Sequence, residues 1–568
     1  MASIIGKTIR GQTYYYLREV ARVNGKPKVI SQRYLGKAAD IEAAVNGASA
    51  LPDRTQHLGF GDFAAVWGLL ERLGVAAIVD EVLGGRRADA GASVGTYVCL
   101  AAANRVVAPC SKLAFSDWWQ STAGERIVHL RGSALDHRRF WDAMDAIDNA
   151  QLIEIERRVT AKVIEEFSLD CAALVLDMTN FATYIDSAND KAPIAQRGHA
   201  KQKRNDLRLV GLGLVITSDG NVPLVSHAYA GNRPDVTQFA DVVGELSRRF
   251  RTVAAPGEEL TLVYDAGQDS AANQAVIEAT GLHFVGSLRP SDHLDLLGAD
   301  NRRFRLVEGF PGLSAYETRA LALGAERRVV VTHSSELHAK QRRGFAQTMA
   351  KVERDLLKLQ ERLSHNKTRR TRAQVEAEIA KICSPRYVSR CLRVTLTGGT
   401  APEIRLSFEV DEEARRHLES EIFGKRVLFT DHEDWTIAEV VAAYRSQWRA
   451  EADFRQLKDP EVVSFSPMFH WTDQKIRVHV FYCVLALTVA RLLCREAAKA
   501  GLEMSVRELL STLSGIEETV LLYQGDRGRP KAKRMLTDMD PTQQRLFDLF
   551  GLAAYAPRDP VLGTTREA

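Results

Sequence analysis

Three carboxylates, Asp177, Asp265 and Glu451, stand where the pattern of the chain could bring them together. Asp177 closes the short apolar run "CAALVLD", and Asp265 closes "ELTLVYD". Both are acids at the ends of predicted strands. Parallel neighbouring strands set such ends at one sheet edge, where α/β sheets build their sites. Glu451 belongs to "VAAYRSQWRAEADFRQLKDP" (441–460), whose helical stripe runs Tyr444, Gln447, Trp448, Glu451, Phe454, Arg455, Lys458. A core-facing stripe is aliphatic and a solvated face lacks such aromatics, so a carboxylate between a tyrosine and a lysine needs another reason. A helix laid across the sheet edge would deliver Glu451 to the two aspartates. Three oxygen donors without a histidine or cysteine suit magnesium, with manganese able to substitute. Two such ions activate an attacking water or 3′-hydroxyl and stabilise the leaving oxygen of an in-line phosphoryl transfer.

Each acid taken singly has a plainer reading. An aspartate ending a strand is commonly a turn or cap residue. Arg455, four residues after Glu451, is placed to be its surface ion-pair partner. The joint occurrence favours a site: two strand-end aspartates, then a glutamate on a helix with aromatic and basic neighbours.

The elements that must position these residues follow from periodicity. "QTYYYLREVARVNGKPKVISQRYLG" holds two β-prone runs around Asn24-Gly25, a hairpin signal. Residues 58–168 carry the three-to-four spacing of amphipathic helices. From 171 the pattern becomes mixed α/β: a strand to Asp177, two strands around Ser218-Asp219-Gly220-Asn221, a helix, the strand to Asp265, a helix and a further strand. Residues 291–424 read as an insertion of β-prone pieces around a long charged helix at 336–382. The α/β pattern resumes at 425, and "VFYCVLALTVARLL" (480–493) reads as a buried helix, too short and too interrupted for a membrane span. The last 60 or so residues read as one or two helices, "SVRELLSTLSGI" and "PTQQRLFDLFGL", and a tail.

At 568 residues, 45% hydrophobic and 26% charged, the chain is expected to be globular and multidomain. A net charge of +4 means that nucleic-acid binding would have to come from local patches. One patch is "QRGHAKQKRNDLR" (196–208), with Lys201, Lys203 and Arg204; it reads equally as a solvated loop or as a flank of a DNA channel. The other, Lys340 to Arg372, reads first as a solvated helix face. Seven scattered cysteines without a C-x-x-C pair read as buried thiols of a reducing compartment. "MASIIGKTIRGQ" has no signal-peptide core, so a cytoplasmic protein is expected.

Asp177, Asp265 and Glu451 resemble the triad of DDE transposases of bacterial insertion sequences. Tyr444-x-x-Gln447-x-x-x-Glu451, followed seven residues on by Lys458, is similar to the Y-R-E-K signature of one large branch, with Gln447 at the arginine position. "VPLVSHAYAGNRPD" and "RVHVFYCVLALTVARLL" resemble stretches common in that branch. The resemblance covers most of 171–290 and 425–495. It implies a multidomain α/β protein with an RNase H-like catalytic core, a β-rich insertion between the second aspartate and the glutamate, a helical N-terminal DNA-binding region and a helical C-terminus. The boundaries are 1–48 (β-hairpin module), 58–168 (helical DNA-binding region), 171–290 and 425–500 (the two parts of the core), 291–424 (insertion) and 501–568 (C-terminal helices and tail).

The implied metal ligands and catalytic residues are Asp177, Asp265 and Glu451, holding Mg2+. Tyr444 and Lys458, joined by Arg455, would hold the terminal phosphate or the opened strand of DNA. Trp448 and Phe454 read as core residues before base-stacking ones. The implied partners are the element's double-stranded DNA ends, target DNA and a second copy of the chain. A metal-dependent nuclease of the same fold and a catalytically inactive transposase-derived DNA-binding protein remain alternatives.

Overall fold

The computed structural model describes residues 2–9, 11–23, 26–47, 52–85, 91–186, 188–198, 206–250, 259–365, 370–399, 403–523 and 531–558. The chain divides into two compact units. The first gathers Met1–Ala65, Asp117–His129 and Leu510–Ala568. Its N-terminal strands Ala2–Ile9, Gln12–Val23 and Lys26–Gly36 form an antiparallel sheet, in which the last two pair as the hairpin reading requires. The turn Asn24-Gly25 itself lies outside the described residues.

The C-terminal reading needs correction. Helices Val506–Ser514 and Pro541–Leu549 form as expected, but Glu517–Tyr523 and Lys531–Leu536 are strands. Glu517–Tyr523 pairs on its other side with Arg54–Gly59, from the opposite end of the chain. Glu518 on this strand is fully buried between Arg126, whose Nε donates at 2.8 Å, and Arg534. The pairing with Arg54–Gly59 spans more than 450 positions and leaves no local trace in the sequence.

The second unit, Val66–Ser116 with Leu130–Leu509, is built on a nine-stranded sheet. Its strands in chain order are β1 (Ala173–Thr183), β2 (Arg208–Thr217), β3 (Pro223–Ala230), β4 (Thr261–Tyr264), β5 (His283–Leu288), β6 (Arg305–Leu306), β7 (Leu313–Ala322), β8 (Ala325–Ser334) and β9 (Lys425–Thr430). They lie in the order β6-β7-β8-β9-β5-β4-β1-β2-β3. Only β1–β4 and β4–β5 pair parallel; the other pairs are antiparallel. The buried central strands β4 and β5 are nearly unbroken apolar runs, as a sheet covered on both faces demands. This is a mixed α/β architecture consistent with the core of a DDE transposase.

The stretch 291–424 is less set apart than the sequence suggests. Its strands β6, β7 and β8 extend the central sheet through the β8–β9 ladder, with Val330 against Leu428. The long helix Ser335–Ser364, the shorter Arg372–Ile382 and the separate pair Leu392–Thr397 with Arg405–Val410 make up most of what remains. β8 is apolar on both faces ("RRVVVTHS"), which suits an internal strand. Likewise, most of the helical stretch 58–168 belongs to the second unit rather than standing as a unit of its own.

Alternation along β1 sorts its two faces. Met178 points to the side of helix Asp235–Phe250, where Val242 comes close above Gly213. Asp177, Thr179 and Phe181 point to the other side, and Phe181 stacks on Phe465 with ring centroids 4.0 Å apart. Helix Gln447–Leu457 packs against β1, and helix Asp473–Lys499 against β3. The latter is long and apolar enough to cross a membrane by length and composition, yet 89% of its apolar window is buried within the protein.

Candidate active site

Register brings the two aspartates side by side. Ala173 pairs with Thr261 and Val175 with Val263 in the parallel ladder, and the same offset carried two residues past the last pair sets Asp177 beside Asp265. Asp177 lies inside β1, which runs on to Thr183, and not at its end as the sequence suggests. The next ladder pairs Tyr264 with Gly286, which sets Asp265 beside Ser287. Ser287 Oγ accordingly donates to Asp265 Oδ1 at 3.0 Å while accepting the Ala266 N–H at 3.1 Å.

A third element closes on this pair. The stripe read along 441–460 is not one helix: it breaks at Ser446 into Ile437–Arg445 and Gln447–Leu457, with Lys458 as the C-cap. Tyr444, on the first, reaches the aspartate. Its hydroxyl lies 3.1 Å from both Asp265 Oδ1 and Ser287 Oγ, and accepts from Arg426 Nη1 at 3.0 Å. Burial pushes this phenol up to about 12, the charge of Asp265 adds to the rise, and Arg426 opposes it. Tyr444 is therefore a neutral hydrogen-bond donor at ordinary pH.

Lys458, at the far end, is anchored to the other aspartate's strand. Its ammonium donates to Thr179 Oγ1 at 2.9 Å and lies 5.3 Å from the centre of the Phe181 ring. Thr179 shares a face with Asp177, two residues along β1. Asp177 is half-buried, and its Oδ1 accepts the N–H of Met178 at 2.7 Å.

Glu451 is seven residues from each anchor. Its side chain is exposed and makes no hydrogen bond or ion pair among the described residues. The ion pair with Arg455, the plainer reading, is not formed, and Arg455 is exposed too. The three acids do not close on a common point: among the described residues, the one trio of His, Cys, Asp or Glu with ligand atoms within 4.8 Å of one another is His283, Asp431 and His432.

Phe454 is buried as expected, whereas Trp448 is 58% exposed and belongs to no core. Neither arginine near Gln447 takes its place at the acids. Arg445 lies over the Phe310 ring at 4.9 Å, and Arg449 donates to the Ser218 carbonyl. Lys201, Lys203 and Arg204 lie outside the described residues.

Among the described residues the donors at the two aspartates are carboxylate and hydroxyl oxygens, a set that fits a hard divalent cation. Asp269 sharpens this. Burial pushes its carboxyl up to about 8, with Arg289 opposing and the charge of Asp265 adding to the rise. Its Oδ1 is buried with no hydrogen-bond partner among the described residues. Asp269, Ser287, Thr179 and Arg426 escaped the sequence reading. Period-two counting from Asp177 would have found Thr179; Ser287 and Arg426 needed the register of strands distant in sequence.

The family model described as "Transposase DDE domain" matches residues 174–487, more than half of the chain. No curated protein matches it. Among solved structures, the chain is similar to a piggyBac transposase in a cryo-EM synaptic complex with hairpin DNA, at 10% identity, covering 82% of each chain with a TM-score of 0.38.

Proposed function

The chain belongs to the transposase DDE-domain family, and on that premise we propose that it binds the terminal inverted repeats of a bacterial insertion sequence, cuts the element's ends and joins the freed 3′-hydroxyls to target DNA. Asp177, Asp265 and Glu451 are its metal ligands in this reading. Two magnesium ions would supply an activated oxygen nucleophile and stabilisation of the leaving oxygen. The chain's own residues do the positioning. Ser287 and Tyr444 hold the Asp265 carboxylate from one side, so that its remaining lone pairs face outward. Lys458, fixed at Thr179, presents a point charge to a DNA phosphate beside Asp177. Arg455, exposed one turn beyond Glu451, adds a second cation to the same strand. Tyr444 acts through Asp265, toward which its buried hydroxyl donates. Two ends must be processed together, so the working form is a dimer on paired DNA ends in the bacterial cytoplasm.

One observation carries the reading: Tyr444 is tied to Asp265 and Lys458 to the strand of Asp177, and Glu451 stands midway with a carboxylate that no described residue claims. The test is cleavage of DNA carrying the element's own ends, in magnesium, by wild type and Glu451→Gln. The variant keeps the shape and removes the charge a metal needs. We expect cutting and joining by the wild type and no cutting by the variant, with end binding kept. Equal cutting by both would remove Glu451 from the site. Cutting without joining would indicate a nuclease of the same fold, and end binding by both without cutting an inactive DNA-binding protein.

A further inference from the structure

The trio His283, Asp431 and His432 sits at the end of the sheet away from the acids. Thr261 and His283 are paired at the start of β4 and β5, and Asp431 and His432 follow the last residue of antiparallel β9. Asp265 lies four residues further along β4, about 13 Å at the rise of a strand. The two clusters are thus separate, and nothing in the phosphoryl-transfer reading uses this one.

Its parts are held in place. Asp431 Oδ1 accepts the Phe284 N–H at 2.9 Å, which turns Oδ2 toward His283 Nδ1 at 3.0 Å. Ligand atoms around a four-coordinate ion with bonds near 2.0–2.1 Å are separated by roughly 3.3 Å. His432 is buried, with Nε2 2.8 Å from Thr261 Oγ1, and its ring is layered between His283 (centroids 4.6 Å apart) and Trp435 (3.7 Å, planes within 8°). Glu259 faces the other nitrogen of His283 at 3.8 Å, the side on which a second carboxylate commonly orients a metal-bound imidazole. Each member offers one ligand atom, and the three atoms lie within 4.8 Å of one another.

We propose that His283, Asp431 and His432 form a second metal site, selective for a borderline transition ion of the zinc class, which clips together the ends of β5 and β9. Two imidazoles and one carboxylate are the donor chemistry of zinc, cobalt or nickel and not of magnesium. The site is structural in its consequence. β9 is the strand through which β6–β8 join the sheet, and β5 carries Ser287, the hydrogen-bond partner of Asp265. An ion at this edge fixes that register from the end opposite the acids.

The test uses the full chain, stripped with chelator and titrated with Co2+ and then Zn2+. The readouts are the visible absorption of bound Co2+, its displacement by Zn2+, and elemental analysis after dialysis. We expect one tightly held equivalent. Asp431→Asn, which keeps the acceptor for the Phe284 N–H, should weaken it at least tenfold, and so should His283→Gln. Glu451→Gln should keep it, so failure here and failure of the transposase reading are distinguishable. A wild type that retains no equivalent overturns the proposal. So does an equivalent kept in both variants, which would place the ion elsewhere, for example at His333 and His338 at the other end of β9. Should His283→Gln misfold by circular dichroism, Asp431→Asn decides alone.

Discussion

Tyr444→Phe removes a single hydroxyl and leaves a buried ring of the same shape. That hydroxyl lies 3.1 Å from Asp265 Oδ1, 3.1 Å from Ser287 Oγ and 3.0 Å from its donor Arg426. A hydrogen bond to a charged group is worth about 1.5–3 kcal/mol. Ser287 still donates to the same oxygen, so the lower part of that range applies, about 1.5 kcal/mol or roughly tenfold in rate. The carboxylate loses one of the two donors that orient it, so the magnesium concentration for half-maximal cleavage should rise about tenfold as well. Arg426 loses an acceptor, and stability should fall by about 1 kcal/mol. The assay is single-turnover cleavage of end-bearing DNA across a magnesium series, with end binding and urea unfolding measured on the same preparations. End binding should stay within about threefold of wild type, because uniform phosphate contacts do not depend on this hydroxyl. A variant that cuts at the wild-type rate with the wild-type magnesium dependence would refute the reasoning: Asp265 would then not be a ligand oriented by Tyr444.

Three further outcomes follow from packing and charge. In Gly211→Ala the new methyl would meet the Tyr229 ring at 2.1 Å, and that ring is held by a 2.7 Å bond from its hydroxyl to Asp235; urea unfolding should show a loss of about 2 kcal/mol or more, and a change under about 0.5 would mean that the ring yields freely. Glu518→Gln neutralises a fully buried carboxylate shared by Arg126 and Arg534, so the first unit should lose about 3 kcal/mol, read as an earlier melting transition, whereas an unchanged melt would show that the pair contributes nothing net. Burial pushes the carboxyl of Asp62 from 3.8 up to about 6. The native state therefore holds its proton more tightly, and the associated stability is present below about pH 4 and lost as pH rises through about 6, at most ~3 kcal/mol for a shift of about two units. Asp62→Asn should flatten that part of the stability–pH curve, and an unaltered slope would assign it to other groups.

Much of the second unit was legible because its signals are local. The strand leading to Asp265, the buried helix at 480–493 and the helical turns that the second unit takes from 58–168 are short local patterns, and backbone periodicity writes them directly into sequence, whereas the run of β1 past Asp177 to Thr183 was not legible there. The type of the acids and the seven-residue spacing from Tyr444 to Glu451 and from Glu451 to Lys458 likewise single out the candidate site in the sequence. What sequence could not settle was pairing. Whether β6–β8 stand apart or join the central sheet depends on a ladder between β8 and β9, strands about a hundred residues apart, and both outcomes use the same β-prone runs. The C-terminal strand Glu517–Tyr523 lies between Lys531–Leu536 and Arg54–Gly59, and the second of these pairings joins opposite ends of the chain. The same holds at the site: Ser287 becomes a donor to Asp265 only through the β4–β5 register, and Tyr444 faces Asp265 while Lys458 faces Thr179 because the helix breaks at Ser446. Local sequence determined which groups were available and at what spacing. Tertiary structure decided which of them meet, because hydrogen-bond register between distant strands is set by packing the whole sheet and not by the preferences of any one segment.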